Sequence, residues 1–191
     1  MGARNIRRIA ILPPDPMPLG KKIQLPYSPV LSSEGKGGEK EAASILSNHL
    51  YSTMSALTHW QIISDREVRE VRTMIPHGGE SARARKLGEL VYADAVISGR
   101  ILRYRERVGK EWGAKSPASV AFVLDLWDVK RGDLIWSARF DETQKGLSEN
   151  LFALGEFTQR GARWLKAEEL VLEGIKKAVN QLHQTLYRRA T

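Results

Sequence analysis

The sequence predicts an α/β fold: a single domain over residues 1–191, with a mixed sheet of about five strands flanked by helices. Three stretches between Glu80 and Phe140 predict it. Ala84, Leu87, Gly88 and Val91 fall on one face at helical spacing. Ala95 to Leu102 then turns apolar and β-branched, as a buried strand does. Finally Leu134, Trp136, Ala138 and Phe140 alternate with Ile135, Ser137 and Arg139, a period of two. Lys130-Arg-Gly-Asp133 makes the turn from the strand starting at Val120, with Gly132 free to take positive φ.

The remaining elements follow in order. Ile6 to Leu12 reads as a short first strand ended by Pro13 and Pro14. Six of the eight prolines lie between Pro13 and Pro29, and Gly35-Lys-Gly-Gly38 follows, so residues 13–38 read as one long irregular loop. Glu39 to Leu57 reads as a helix with Ala42, Ile45, Leu46, His49, Leu50, Met54 and Leu57 in one stripe. Trp60-Gln-Ile-Ile63 is a short strand. Ser64-Asp-Arg-Glu67 is a capping box that opens a helix to about Met74, and Ile75-Pro-His-Gly-Gly79 breaks it. Residues 103–119 read as a polar loop and Asp141 to Gly146 as a second one. Ser148 caps a short helix reaching Leu154, and residues 157–163 are mixed. Residues 167–187 form the last helix, with Val171, Ile175, Ala178, Val179, Leu182 and Leu186 on one face. Early strands that alternate with helices pair in parallel, whereas the late hairpin adds antiparallel strands.

Composition excludes several chemistries. A chain of 191 residues without cysteine has no disulfide, thiol nucleophile or thiolate metal site. No apolar run is long enough to span a bilayer. No apolar signal core follows Met1 to Arg8. The expectation is therefore a cytoplasmic protein, or an exported one whose signal lies outside this sequence. The net charge of +8 fits a solvated basic surface drawn to anionic envelope material such as lipid headgroups. It also fits nucleic-acid binding, but no helix-turn-helix pattern, zinc spacing or aromatic RNA-binding strand supports that.

No catalytic, cofactor or metal residue is predicted. His49, His59, His77 and His183 lack metal-ligand spacing, and His49 reads as a core or boundary residue of its helix. His77 sits in a glycine-rich turn, which turn chemistry explains as well as a site does. Gly35-Lys-Gly-Gly38 and Gly78-Gly79 precede helices where amides hold anions, but neither matches a phosphate-loop order. Asp125 shares a face with Trp127 while Asp128 points the other way, so they are no acid/base pair. Asp94 reads as a cap for local amides. Arg100, Arg103, Arg105, Arg107 and Lys110, with Trp112 nearby, are the best candidates for meeting an anionic partner. Charge that protects a strand edge is the preferred explanation for them.

The order of motifs resembles bacterial envelope lipoproteins of the CsgG/LpoB type, whose core is like the amino-terminal domain of TolB. The motifs are Arg8-Ile-Ala-Ile-Leu12, Trp60-Gln-Ile-Ile-Ser-Asp-Arg66, Ala84-x-x-Leu-Gly88 leading to Ala93-Asp-Ala-Val-Ile-Ser-Gly-Arg-Ile101, and Leu126-Trp-Asp-Val-Lys-Arg-Gly-Asp-Leu-Ile-Trp-Ser137. The resemblance covers about residues 6–140 and the last helix. It implies no catalysis and no cofactor. It also implies a lipid-anchored protein on the periplasmic side of the outer membrane that assists another envelope protein in secretion or cell-wall assembly. A homo-oligomer is compatible with it; nucleic acid is not expected as a partner. A secretion-pore subunit is the alternative within the resemblance, though no strand pair with aromatic girdles is found. The lipobox cysteine is absent. The expected contact surface is Leu19, Ile23 and Tyr27 of the proline-rich loop together with Arg103, Arg105, Arg107 and Trp112.

Overall fold

The computed structural model describes residues 6–14, 36–110, 113–144 and 164–187. Strand β1 (Arg8–Ile11) is paired in parallel with β2 (Gln61–Ile62) on one side and with β3 (Ala95–Arg105), the central strand, on the other. Strand β3 continues antiparallel to β6 (Ser119–Asp128), and β6 to β7 (Leu134–Thr143). The main sheet therefore runs β2-β1-β3-β6-β7. A separate two-stranded ribbon joins β4 (Val108–Lys110) to β5 (Gly113–Ser116). It lies in the stretch expected to be a polar loop, and β3 runs on to Arg105 beside it. Strand β7 likewise extends through Thr143, because Asp141, Glu142 and Thr143 keep pairing with β6 despite their polarity.

Helices cover both faces where the strands are parallel, as buried parallel strands require. Helix α1 (Lys36–Ser55) and the last helix α4 (Ala167–Tyr187) pack on one face. There Ile9, Ile11, Ala95, Ile97, Phe122, Leu124 and Leu126 meet Leu46, Leu50, Met54, Leu170, Val171, Ile175 and Leu182. Helices α2 (Asp65–Val71) and α3 (Glu80–Val91) pack on the other face. There Ala10, Leu12 and Val96 meet Val68, Ala84, Leu87 and Val91. Each large side chain so buried contributes about 1.5–3 kcal/mol. The expected bounds of the last helix are matched, whereas α1 begins at Lys36 rather than after Gly38. Residues 15–35 and 145–163, with the short helix expected after Ser148, lie outside the described residues.

Local chemistry fixes the joints. Ser64 Oγ accepts from the Glu67 amide at 3.3 Å and donates to Glu67 Oε1 at 2.8 Å, so the capping serine and glutamate engage each other. Ser64→Ala should lower stability by about 1 kcal/mol, read as a shift of the urea midpoint. Asp94 does cap amides, but they lie at the start of β1: its Oδ2 accepts from Arg7 N, just before the strand, at 2.9 Å and from Arg8 N at 2.8 Å. The aspartate thus joins the first strand to the third across the whole first half of the chain. His49 is a boundary residue, its Nε2 lying 2.9 Å from Glu168 Oε1 and tying α1 to α4. Gly132 takes φ 74° in the β6–β7 turn, as its sequence position required. One expectation for β7 fails. The register shifts between Leu126 and Trp127, so Leu134 pairs with Trp127 and is 49% exposed, while Trp136 pairs with Leu126 and is buried. The irregularity breaks the period of two between Leu134 and Trp136.

Candidate functional site

Where the cover of α2 and α3 ends, among the described residues, the second face of β3, β6 and β7 carries polar side chains. Its rows are set by register. Ser98 lies opposite Asp125, which lies opposite Ser137. Arg100, Val123 and Arg139 form the next row, and Arg103, Ala121 and Asp141 the one after. The arginine rows depend on an irregularity in β3. Between Ile101 and Arg103 the register slips by one, so Tyr104 pairs with Val120 on the core side and Arg103 and Arg105 join Arg100 on the open side. Burial and the nearby carboxylates Glu106, Glu168 and Glu41 push the Tyr104 phenol up to about 12, so it stays neutral.

The side chains on this face hold one another. Arg100 Nε lies 2.7 Å from Glu80 Oε1 of α3, and Arg100 Nη2 lies 3.4 Å from Asp125 Oδ2. Ser137 Oγ donates to Asp125 Oδ1 at 2.6 Å, Ser98 Oγ donates to Glu80 Oε2 at 3.0 Å, and Trp127 Nε1 donates to Ser98 Oγ at 3.0 Å. Arg103 Nε donates to Ser119 Oγ at 2.6 Å, and Arg103 Nη2 pairs with Asp141 Oδ1. Arg139 Nη2 lies 3.2 Å from Asp141 Oδ2, so both arginines share one carboxylate. The Arg103 hydrogen bond, followed by that from Arg139, holds the Asp141 carboxyl below its ordinary value of 3.8 despite some opposing burial. A carboxyl lowered by folding stabilises the fold fully above its ordinary value. That contribution is lost as the pH falls through the folded value. Asp141→Asn should therefore flatten the acid limb of stability below pH 3.8, measured as urea midpoint against pH.

The predicted contact residues separate here. Arg103 belongs to the network, and Arg105 is exposed at the end of the same face. Arg107 turns toward α4, its Nη1 donating to the Trp164 carbonyl at 2.6 Å. Beside it Glu106 Oε1 accepts from the Ala167 amide at 3.0 Å, a carboxylate at the positive start of α4. Leu19, Ile23, Tyr27 and Trp112 lie outside the described residues. Sequence reasoning missed Glu80, Asp125, Arg139 and Asp141 as members of this surface. The alternation Ser137-x-Arg139-x-Asp141 was a legible signal for the last two. Nothing in the sequence marked the slip at Ile101. Among the described residues no group of histidines and carboxylates could hold a metal ion, and no helix is long and apolar enough to cross a membrane.

No family model matches the chain, and no curated protein does. Solved structures similar to it include the PelC dodecamer from Paraburkholderia phytofirmans, at 17% identity over 94% of this chain and 89% of that one, with a TM-score of 0.42. The hypothetical protein CT253 from Chlamydia trachomatis is similar at 11% identity over 96% and 99%, with a TM-score of 0.49. The LpoB C-terminal domain from Salmonella enterica is similar at 12% identity over 75% and 87%, with a TM-score of 0.43. These likenesses are distant, and no partner or activity of this chain follows from them.

Proposed function

We propose that this chain is a non-enzymatic accessory module of the bacterial envelope that binds another envelope protein through the open face of β3, β6 and β7. The observation that supports this most is the network on that face. Arg100, Arg103, Arg139, Glu80, Asp125 and Asp141 are held in place by one another before any partner arrives. Side chains already ordered lose little rotamer freedom on binding. Charges of both signs at fixed positions select a partner by complementarity rather than by bulk attraction. The arginines are balanced by carboxylates, which favours a protein surface over a polyphosphate, so nucleic-acid binding drops behind.

The envelope setting and the lipid anchor rest on the motif order. The quoted motifs fall on β1, on β2 with the start of α2, on α3, on β3 and on the β6–β7 hairpin. Two experiments test the reading. A photo-crosslinker placed at Ser137 or Thr143, both exposed on this face, should capture one defined envelope protein in living cells. The same group at exposed Ser52 of α1 should not, and capture lost in Arg100→Glu with Arg139→Glu supports the surface. Equal capture from Ser52 refutes it. The setting is tested by expressing the complete reading frame with a carboxy-terminal tag and following it by fractionation and lipid labelling. Unlabelled cytoplasmic protein would remove the envelope role.

A further inference from the structure

Strand β7 is an edge of the main sheet, and among the described residues no strand pairs with its outer side. The opposite edge, β2, is two residues long, whereas β7 runs for 10. An unpaired strand of that length presents a row of N–H and C=O groups that another strand can take up. Such edges are commonly blunted by proline, lysine or a bulge. Strand β7 contains no proline, glycine or lysine. Its register slip lies at its start, so Trp136 to Thr143 pair regularly with β6.

The pairing with β6 decides which backbone groups face outward. The Gln144 amide donates to the Ala118 carbonyl at 3.2 Å, and the neighbouring residues Ser119 and Thr143 are partners. Ala118 and Gln144 therefore stand opposite each other as a hydrogen-bonded pair. Bonded and non-bonded pairs alternate along antiparallel strands. The next bonded pairs are Val120 with Glu142, Phe122 with Phe140 and Leu124 with Ala138. The backbone groups of Ser137, Arg139, Asp141 and Thr143 then point away from β6, toward the open edge. Their side chains lie on the open polar face and are exposed. Phe140, between them, is half-buried on the opposite face.

We propose that β7 pairs antiparallel with β7 of a second copy of this chain, about a two-fold axis at Phe140, so that one sheet runs through both copies. Charge selects both the occupant and the register. With the axis at Phe140, Arg139 of each copy stands opposite Asp141 of the other, and Ser137 stands opposite Thr143. All four residues have outward backbone groups, so these are bonded pairs. The two Phe140 residues meet as a non-bonded pair, where side chains approach most closely. A slide of two residues in either direction sets Arg139 against Arg139 or Asp141 against Asp141, and like charges directly opposite are destabilising. A slide of one residue sets outward groups against inward ones and brings side chains of opposite faces together. The strand is thus complementary to itself in one register. The pairing uses the outer side of β7 and leaves the open face exposed, so its failure leaves the protein-binding reading standing.

The test is sedimentation of the purified whole chain over a range of concentrations, with amide hydrogen exchange followed residue by residue. A dimer should form as the concentration rises, and the amides of Ser137, Arg139, Asp141 and Thr143 should gain protection with it. Arg139→Asp and Asp141→Arg both lie at exposed positions. Each alone turns two opposite-charge pairs into two like-charge pairs and should weaken self-association by about tenfold. Mixed, the two variants restore both opposite-charge pairs, so the mixture should associate about tenfold more tightly than either variant alone. The exchange measurement uses the unaltered chain and decides the matter even where a variant fails to fold. A chain that stays monomeric up to about 1 mM overturns the proposal and leaves the edge to a strand of another protein. A dimer in which those four amides exchange as before overturns it too, as does a mixture of folded variants no tighter than its components.

Discussion

Phe122→Ala should lower the unfolding free energy by about 3–5 kcal/mol, seen as a fall in urea midpoint at unchanged slope. Phe122 is fully buried on β6, an inner strand of the sheet. Its ring stacks on Phe140 of β7 with centroids 5.1 Å apart and planes at 28°. On the far side α4 meets the rings at Gly174, where an added Cβ would stand 2.8 Å from Phe122 Cζ and 2.7 Å from Phe140 Cγ. The helix therefore rests directly on the aromatic pair. Gly174 has no side chain that could swing into the space left by a lost ring, so relaxation must come from moving the helix or the strand. Incomplete collapse is what makes large-to-small core changes costly. Phe140→Ala should cost less, because Phe140 is half-buried on the edge strand. Val123→Ala, one residue from Phe122 but on the open polar face, should cost under about 1.5 kcal/mol. Equal losses for Phe122→Ala and Val123→Ala would refute the assignment of faces on β6.

Much of this architecture was written in periodicities. The helical spacing of Ala84, Leu87, Gly88 and Val91, and the stripe on residues 167–187, reappear as buried faces because each helix has one sheet to meet. The parallel order of β2, β1 and β3 followed from their alternation with helices. What the pattern did not carry were the two register slips, between Ile101 and Arg103 and between Leu126 and Trp127. Such slips belong to the pairing of two strands, which the residue pattern of one strand does not record. They decide the surface: the first brings Arg103 beside Asp141, and the second turns Leu134 out of the core. The ribbon of β4 and β5 was missed for a related reason. Its strands are short and glycine-bearing, and none of their described side chains is buried, so no buried face imposes a period on them. The carboxylates of the network were likewise hidden, since Glu80 and Asp125 come together only through tertiary pairing with Arg100.

Gly88→Val should destabilise the fold by about 3 kcal/mol, and Gly88→Ala by about 1–2 kcal/mol, measured by urea unfolding. Gly88 closes the Ala84-x-x-Leu-Gly88 motif on the buried face of α3. A Cβ built there would lie 2.1 Å from Val129 Cγ2 and 2.8 Å from Val129 Cγ1, closer than carbon atoms approach. Val129 sits at the start of the β6–β7 turn, its amide bonded to the Asp94 carbonyl at 3.1 Å, so it cannot move aside cheaply. Alanine gains about 1 kcal/mol of helix propensity over glycine. The sign therefore depends on whether the clash outweighs that gain, and with a branched, tethered neighbour it does. The double variant decides the cause. Val129→Ala alone removes two methyl groups from the smaller core and should cost about 1–3 kcal/mol. Combined with Gly88→Ala it opens the space that the new methyl needs, so the pair should be more stable than the sum of the single losses by at least about 1 kcal/mol. Strict additivity would mean that Gly88 serves something other than close approach of α3 to the hairpin. Coupling of the expected sign would show that this glycine lets the helix carrying Glu80 lie against the sheet, close enough for Glu80 to reach Arg100.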